Sequence, residues 1–514
     1  MLPAGRAWDR GRRAAAAALF ALVAGGIGVG AWTGFPVFSD ALVPLLVHDT
    51  SAGSLAARHA DRPLYGWMLQ ASVAAFGFHR FAWIAVGFAA WGLLAWAASR
   101  LHRLVFPESP GWSWLPALLV VSPVVVQTQF ATLTIAYPAV LPVALVLGAL
   151  VTASGDANRR RTVVAFLLAA LAAAISEYGV AAAFAGAVLA VGLRLRRTAL
   201  CLAAGAALGA LVLRLTADPS ARPDVAADAL LPSLAAAPLA GVYRWLSGIW
   251  HATAGAWGGA IWRTQLDPKS RGSLAIAALG VAGAVLAVLA APRSTSAGRP
   301  SASPPGSRRF LFVLLAVAAA ILPVAAAGRA TVFSAAWIGE YETRFLLPAL
   351  PFASVLLSGT IARGMTPRAA SAAAALLAFL CVEASWDGAR QAMSSERWAE
   401  QLGRALLPVV RSTDGIVIAV GEEDPTLRWG STLTGKTTRS WRDDDARRVW
   451  VMARSTARRV FGARPGCRLP ETIDFDAEIR GIRRSGRLSS LLWVAPAGDR
   501  VARFEPYCLA APSP

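Results

Sequence analysis

The hydrophobic positions of this chain gather into long runs, with the polar positions in short segments between them. The first run, 14–32 (AAAAALFALVAGGIGVGAW), matches the roughly 20 apolar residues that a helix needs to cross a bilayer core. Further runs lie near 80–98, 113–127, 134–152, 162–176, 178–193, 198–215, 273–291, 310–327, 345–362 and 368–385. Together they predict a polytopic α-helical membrane protein of about eleven spans. Residues 64–76 are apolar but too short to span, and predict a re-entrant or interfacial helix. The stretch 230–262 carries Trp245, Trp250, Trp257 and Trp262. Aromatic residues at that density favour the headgroup level, so interfacial helices are expected there.

Past residue 385 the pattern changes and charge becomes dense. Residues 393–411 put Trp398, Leu402, Ala405 and Val409 on one helical face, and GIVIAV (415–420) reads as a buried strand. Residues 443–461 carry acids first and arginines last, which suits a helix dipole and predicts a helix. LLWVAP and RVARFEP, joined through Ala497-Gly498-Asp499, predict a hairpin. The expected organisation is a transmembrane domain over 1–385 and a small C-terminal α/β domain over 386–514.

Composition agrees with a bilayer environment. Of 514 residues, 56% are hydrophobic and 16% charged, and the mean hydropathy is +0.51. The net charge of +20 raises the question of nucleic acid. Only Lys269 and Lys436 are lysines, however, and the arginines sit in clusters at run ends with no basic-aromatic module, so nucleic acid is not an expected partner. Clusters at run ends are the positive-inside signature. Arg6, Arg10, Arg12 and Arg13 hold the N-terminus in the cytoplasm, with Arg100/Arg103, Arg159–Arg161, Arg194/Arg196/Arg197, Arg293–Arg309 and Arg363/Arg368 on the same side. The linker 292–309, rich in Pro, Ser and Arg, reads as a flexible cytoplasmic connection. An odd number of spans puts the C-terminal domain outside the inner membrane. Cys467 and Cys508, the only cysteines of that domain, form a candidate disulfide, the alternative being two unpaired thiols. No Cys/His metal spacing occurs.

The candidate chemistry lies in the loop after the first run. FPVFSDALVPLLVHD and ARHADRPLYGWML gather Asp40, His48, Asp49, Arg58, His59, Asp61 and Arg62 at the outer face. Asp40 is the candidate general base and Asp49 the second carboxylate. His48 and His59 are candidate contacts to an acceptor or phosphate. Asp61 is the expected ion-pair partner of Arg62, which itself precedes Pro63 at a predicted helix start. Arg62 offers a planar fork of donors suited to a lipid phosphate, or else serves as a snorkelling anchor. Glu177, in AAAISEYGVAAAF, is a carboxylate between apolar runs and so a candidate by default, with helix capping as the competing role. Arg344 directly precedes an apolar run and reads as a phosphate contact or an anchor.

The order of these parts resembles the GT-C superfamily of integral-membrane glycosyltransferases. The likeness rests on the acidic first outer loop, the RPLYGWML helix, the SEYG turn, the TRFLLPALP segment and the outer C-terminal domain. It implies a polyprenyl-phosphate-sugar donor and a cell-envelope glycan, lipid or protein as acceptor, with inversion at the anomeric carbon. It implies Asp40 as the base, with Arg62 and Arg344 as contacts to the lipid phosphate. Two departures stand out. Asp40 is followed by Ala41, where many members pair two acids, and VVVQTQFATLT has no acid. No cofactor is expected, and these departures count against metal-assisted binding of the donor phosphate. Two further readings remain open, a carrier or flippase for a lipid-linked saccharide and a non-catalytic assembly protein of the envelope.

Overall fold

The computed structural model describes residues 4–33, 60–76, 79–126, 137–154, 159–217, 238–258, 260, 307–326, 345–411, 416–421, 449–453, 488–497 and 500–507. Twelve α-helices carry most of them. They are α1 (Ala4–Thr33), α2 (Pro63–Phe76), α3 (Arg80–Val105), α4 (Trp114–Val121), α5 (Tyr137–Ala153) and α6 (Arg159–Ile175), followed by α7 (Glu177–Gly192), α8 (Arg196–Thr216), α9 (Pro238–Trp250), α10 (Ser307–Ala326), α11 (Leu350–Gly364) and α12 (Pro367–Arg411).

Four stretches of helix are long and apolar enough to cross a membrane: Ala14–Trp32, Phe81–Val105, Arg196–Thr216 and Pro367–Arg390. They mark the chain as a helical membrane protein, with four such spans among the described residues in place of eleven. The run at 113–127 shows one reason for the difference. Its helix, α4, has only 8 residues, about 12 Å, because Ser122 turns extended just before Pro123. Leu115, Leu118, Leu119 and Val120 of α4 are buried against the bundle instead. The run at 345–362 likewise yields only the 15 residues of α11, which follow a tight turn over 345–349. The run at 273–291 lies outside the described residues.

The bundle is packed the way hydrocarbon requires. Where α6 meets α8, the buried positions are small (Ala165, Ala169, Ala172, Ala173), while Val163, Leu167, Leu171, Leu208 and Leu215 are exposed. In a bilayer no hydrophobic force drives helices together, so close backbone approach between small residues does the work. Gly209 is the sharpest instance, since a Cβ there would lie 2.2 Å from the Ala170 carbonyl oxygen.

Polar contacts tie the helix ends together. Thr198 at the start of α8 donates to the Ala153 carbonyl at the end of α5, 3.2 Å away. The end of α7 meets α10 where Gly192 faces Phe312. At the turn from α7 to α8, Leu195 N–H bonds to Ala190 O and Arg194 N–H to Val191 O. This is a Schellman closure, with Arg194 at φ 62° in the left-handed position where glycine is usual. Glu108, just past α3, pairs with Arg309 of α10 and Arg363 of α11. The arginine-rich helix ends thus share one end of the bundle.

The helix α12 runs 45 residues without a break, across the boundary at 385/386 and through 393–411. No proline interrupts it before Pro408, and at Gly388, which costs about 1 kcal/mol in a helix, Asp387 and Arg390 form an ion pair at 3.3 Å. Beyond it lie four strands, β1 (Ile416–Gly421), β2 (Val449–Ala453), β3 (Leu488–Ala497) and β4 (Arg500–Tyr507), in the order β2-β1-β3-β4. The β1 strand is parallel to both β2 and β3, and β3 pairs antiparallel with β4, with Ala497 opposite Arg500. The helix expected over 443–461 is replaced in its middle by β2, whose VWVMA run favours the pleated surface of a sheet.

Candidate functional site

The site starts from the short helix α2. Pro63 occupies its first position, where a missing N–H costs nothing, and the Arg62 carbonyl accepts the first helical bond from Gly66 at 3.0 Å. At 14 residues, about 21 Å, α2 is too short to span and packs against α3, α5 and α6. Tyr137, the first residue of α5, fixes it by donating to the Met68 carbonyl at 3.0 Å, with Ser72 bonded to the same hydroxyl. Tyr65 and Leu69 turn into the bundle.

That docking places Arg62 beside a carboxylate 115 residues away. Its Nη1 donates to Glu177 Oε1 at 3.3 Å and its Nε to Asp61 Oδ2 at 3.1 Å, while the guanidinium lies 4.8 Å from the Tyr65 ring centroid. The Arg62 side chain is 11% exposed, Asp61 16% and Glu177 46%. Two carboxylates on one guanidinium leave a surplus negative charge. Burial acts to lower the pKa of Arg62, but Glu177 and Asp61, with Tyr65 and Tyr178, outweigh it and hold the guanidinium above its ordinary value. Arg62 is therefore a permanent cation of the site.

Glu177 opens α7, where the positive end of the helix dipole favours its charge by about 0.3–1 kcal/mol. Ser176 holds the N-cap position in extended conformation, and its buried hydroxyl has no hydrogen-bond partner among the described residues. The SEYG turn folds this tightly because of Gly179, where a Cβ would lie 2.0 Å from the Ala172 carbonyl oxygen on α6. Tyr178 is buried, its ring 6.3 Å from that of Phe345. The turn before α11 thereby joins the same cluster.

Of the residues singled out in the sequence, Arg62, Asp61 and Glu177 are brought together, and the Asp61–Arg62 pair is present. Glu177 is a helix-first residue in an ion pair, so placement at a helix N-terminus and membership of the cluster are both observed. Asp40, His48, Asp49, His59 and Arg344 lie outside the described residues, as do Cys467 and Cys508. Tyr65 and Phe345 are aromatic residues in apolar runs and carry no distinguishing signal in the sequence, and Tyr178 stands out only as the neighbour of Glu177. Their adjacency to RP, SE and TR was the available clue. Among the described residues no group of His, Cys, Asp and Glu is placed to hold a metal ion.

An apolar groove lies between α1, α3 and α4, with a volume of about 440 Å³ and walls that include Phe20, Ile27, Phe88, Trp91, Gly92 and Val121. Its lining offers hydrocarbon contact alone. Comparison with known protein families, with curated proteins and with solved structures gives no match to this chain.

Proposed function

We propose that this protein is a membrane glycosyltransferase of GT-C type, moving a sugar from a polyprenyl-phosphate carrier to a cell-envelope acceptor on the outer face of the inner membrane. The observation that carries this reading is the meeting of Arg62, Asp61 and Glu177 at the bundle end opposite the arginine-rich helix ends. The positive-inside rule puts the arginine-rich end in the cytoplasm, and so puts this cluster outside. Polar side chains at a helix-bundle end meet both a lipid-borne donor and a water-borne acceptor.

In this reading Asp40 takes the proton of the acceptor hydroxyl, the oxygen attacks the anomeric carbon, and the bond to the lipid phosphate breaks with inversion. Arg62 is already committed to two carboxylates, so its part is to hold Glu177 for the acceptor's hydroxyls. The leaving phosphate falls to Arg344, whose chain neighbour Phe345 touches Tyr178. Charge stabilisation of that leaving group is the main electrostatic contribution. The groove between α1, α3 and α4 gives part of a prenyl tail an apolar berth. An outer C-terminal domain completes the proposed topology.

The test uses purified full-length protein in detergent with a polyprenyl-phosphate sugar and envelope extract. Release of free polyprenyl phosphate that is lost in Asp40→Asn supports the reading. Transport of the intact donor across vesicles, with the sugar-phosphate bond unbroken, identifies a carrier instead.

A further inference from the structure

A second polar cluster sits at the other end of the bundle, and the proposed transferase reading does not use it. Glu108, just past α3, lies between two guanidinium groups. Arg309 Nη1 is 3.3 Å from its Oε2, and Arg363 Nη1 contacts its Oε1. Arg309 Nη1 also donates to the Val105 carbonyl at 3.0 Å. From these contacts we infer that Glu108, Arg309 and Arg363 form a binding site for the phosphodiester headgroup of an anionic phospholipid.

Charge, depth and access all lead there. Two guanidinium groups on one carboxylate leave a surplus positive charge, and exposed Arg308 adds another beside it. The cluster forms where α3 ends at Val105, α10 starts at Ser307 and α11 ends at Gly364. Of these, α3 is long and apolar enough to span, and in the proposed orientation its end at Val105 leaves the hydrocarbon here, which sets the cluster at headgroup depth. Basic pockets between helix ends on the cytoplasmic side are where anionic headgroups bind. The side chains remain reachable, with Arg309 36% exposed, Arg363 22% and Glu108 41%. Each guanidinium has five N–H donors, and Nε and Nη2 of both arginines have no hydrogen-bond partner among the described residues. A phosphodiester can therefore add to the cluster without first displacing Glu108.

The floor suits a lipid more than a free anion. Phe106 and Phe310 pack with ring centroids 4.9 Å apart, and the Arg363 guanidinium lies 5.9 Å from the centroid of Phe310. Phe310, part-exposed and backed by the fully buried Phe106, gives the first methylenes of an acyl chain an apolar surface beside Arg363. His102 sets the framework, its Nδ1 bonded to Ser358 Oγ of α11 at 2.9 Å and its Nε2 to the Ser109 carbonyl at 3.2 Å.

The experiment compares full-length protein titrated with short-chain phosphatidylglycerol, short-chain phosphatidylcholine and inorganic phosphate, read by native mass spectrometry of bound species. Wild type should prefer phosphatidylglycerol, and Arg309→Gln and Arg363→Gln should each lower that affinity about fivefold. Each single variant leaves Glu108 one partner and so spares the fold. Glu108→Gln frees both guanidinium groups and should raise the affinity, a gain that a purely structural ion pair does not produce. Arg159→Gln, at another helix start on the same end, should change nothing. Unchanged preference in both arginine variants overturns the proposal, as does weaker binding in Glu108→Gln. Phosphate binding as tightly as the lipid also overturns it in favour of a free-anion site.

Discussion

At Arg62 a single guanidinium does three jobs, caging Asp61, orienting Glu177 and stacking on Tyr65. Removing it leaves two carboxylates without their shared cation, a loss of about 3–5 kcal/mol where such a pair is buried. Arg62→Gln should therefore lower both Tm and transfer activity. Glu177 is half-exposed, so Glu177→Gln should cost under about 1 kcal/mol and separate function from folding. Loss of transfer with an unchanged Tm is the expected outcome, and full activity in that variant removes Glu177 from the site. The pH dependence follows from the raised pKa of Arg62. A cation whose folded pKa lies above its unfolded value stabilises fully below the unfolded value and loses that contribution only as pH climbs through the folded one. For Arg62 both values lie above any working pH, so an alkaline fall in activity between pH 7 and 10 must come from another group. Arg194 is strained for the opposite reason, a side chain where glycine belongs. Arg194→Gly should raise stability by up to about 1 kcal/mol, read as a higher Tm in detergent.

The elements are governed by how closely backbones approach. At Gly179 and Gly209 a methyl group meets a carbonyl oxygen of α6, so each alanine variant should cost about 1–3 kcal/mol through overpacking. Gly148 in α5 has open space around it, and Gly148→Ala should be neutral or slightly stabilising. The three Tm values measured together test the packing scheme, and equal effects at 148 and 209 would contradict it. Gly179→Ala should additionally abolish transfer, because the first turn of α7 must move and takes Glu177 away from Arg62.

For the whole molecule, the arrangement has two ends of different character, one rich in arginine and one built on a buried Arg62 between carboxylates. Single cysteines placed at Arg160 and at Leu64 should label from opposite sides of sealed inverted vesicles and intact spheroplasts. Labelling of both from one side would overturn the proposed orientation and with it the outer placement of the site. Protease treatment of spheroplasts should remove residues beyond α12 if they lie outside.

Residue type and run length were enough to establish a helical membrane protein, to put arginines at helix ends, to mark Arg62 and Glu177 as charges in costly surroundings and to pair Asp61 with Arg62. These properties are local, because the bilayer acts on each segment separately through burial of apolar side chains and the cost of charge. What the tertiary structure decided is relational. Sequence spacing contains nothing that sets Arg62 against Glu177, since that contact depends on how α2 docks on α5 and how Gly179 folds α7 back on α6. The short buried α4, the unbroken α12 and the strand at 449–453 were also decided beyond the local pattern. In each case packing against neighbours, rather than hydrophobic run length, selected the element that formed.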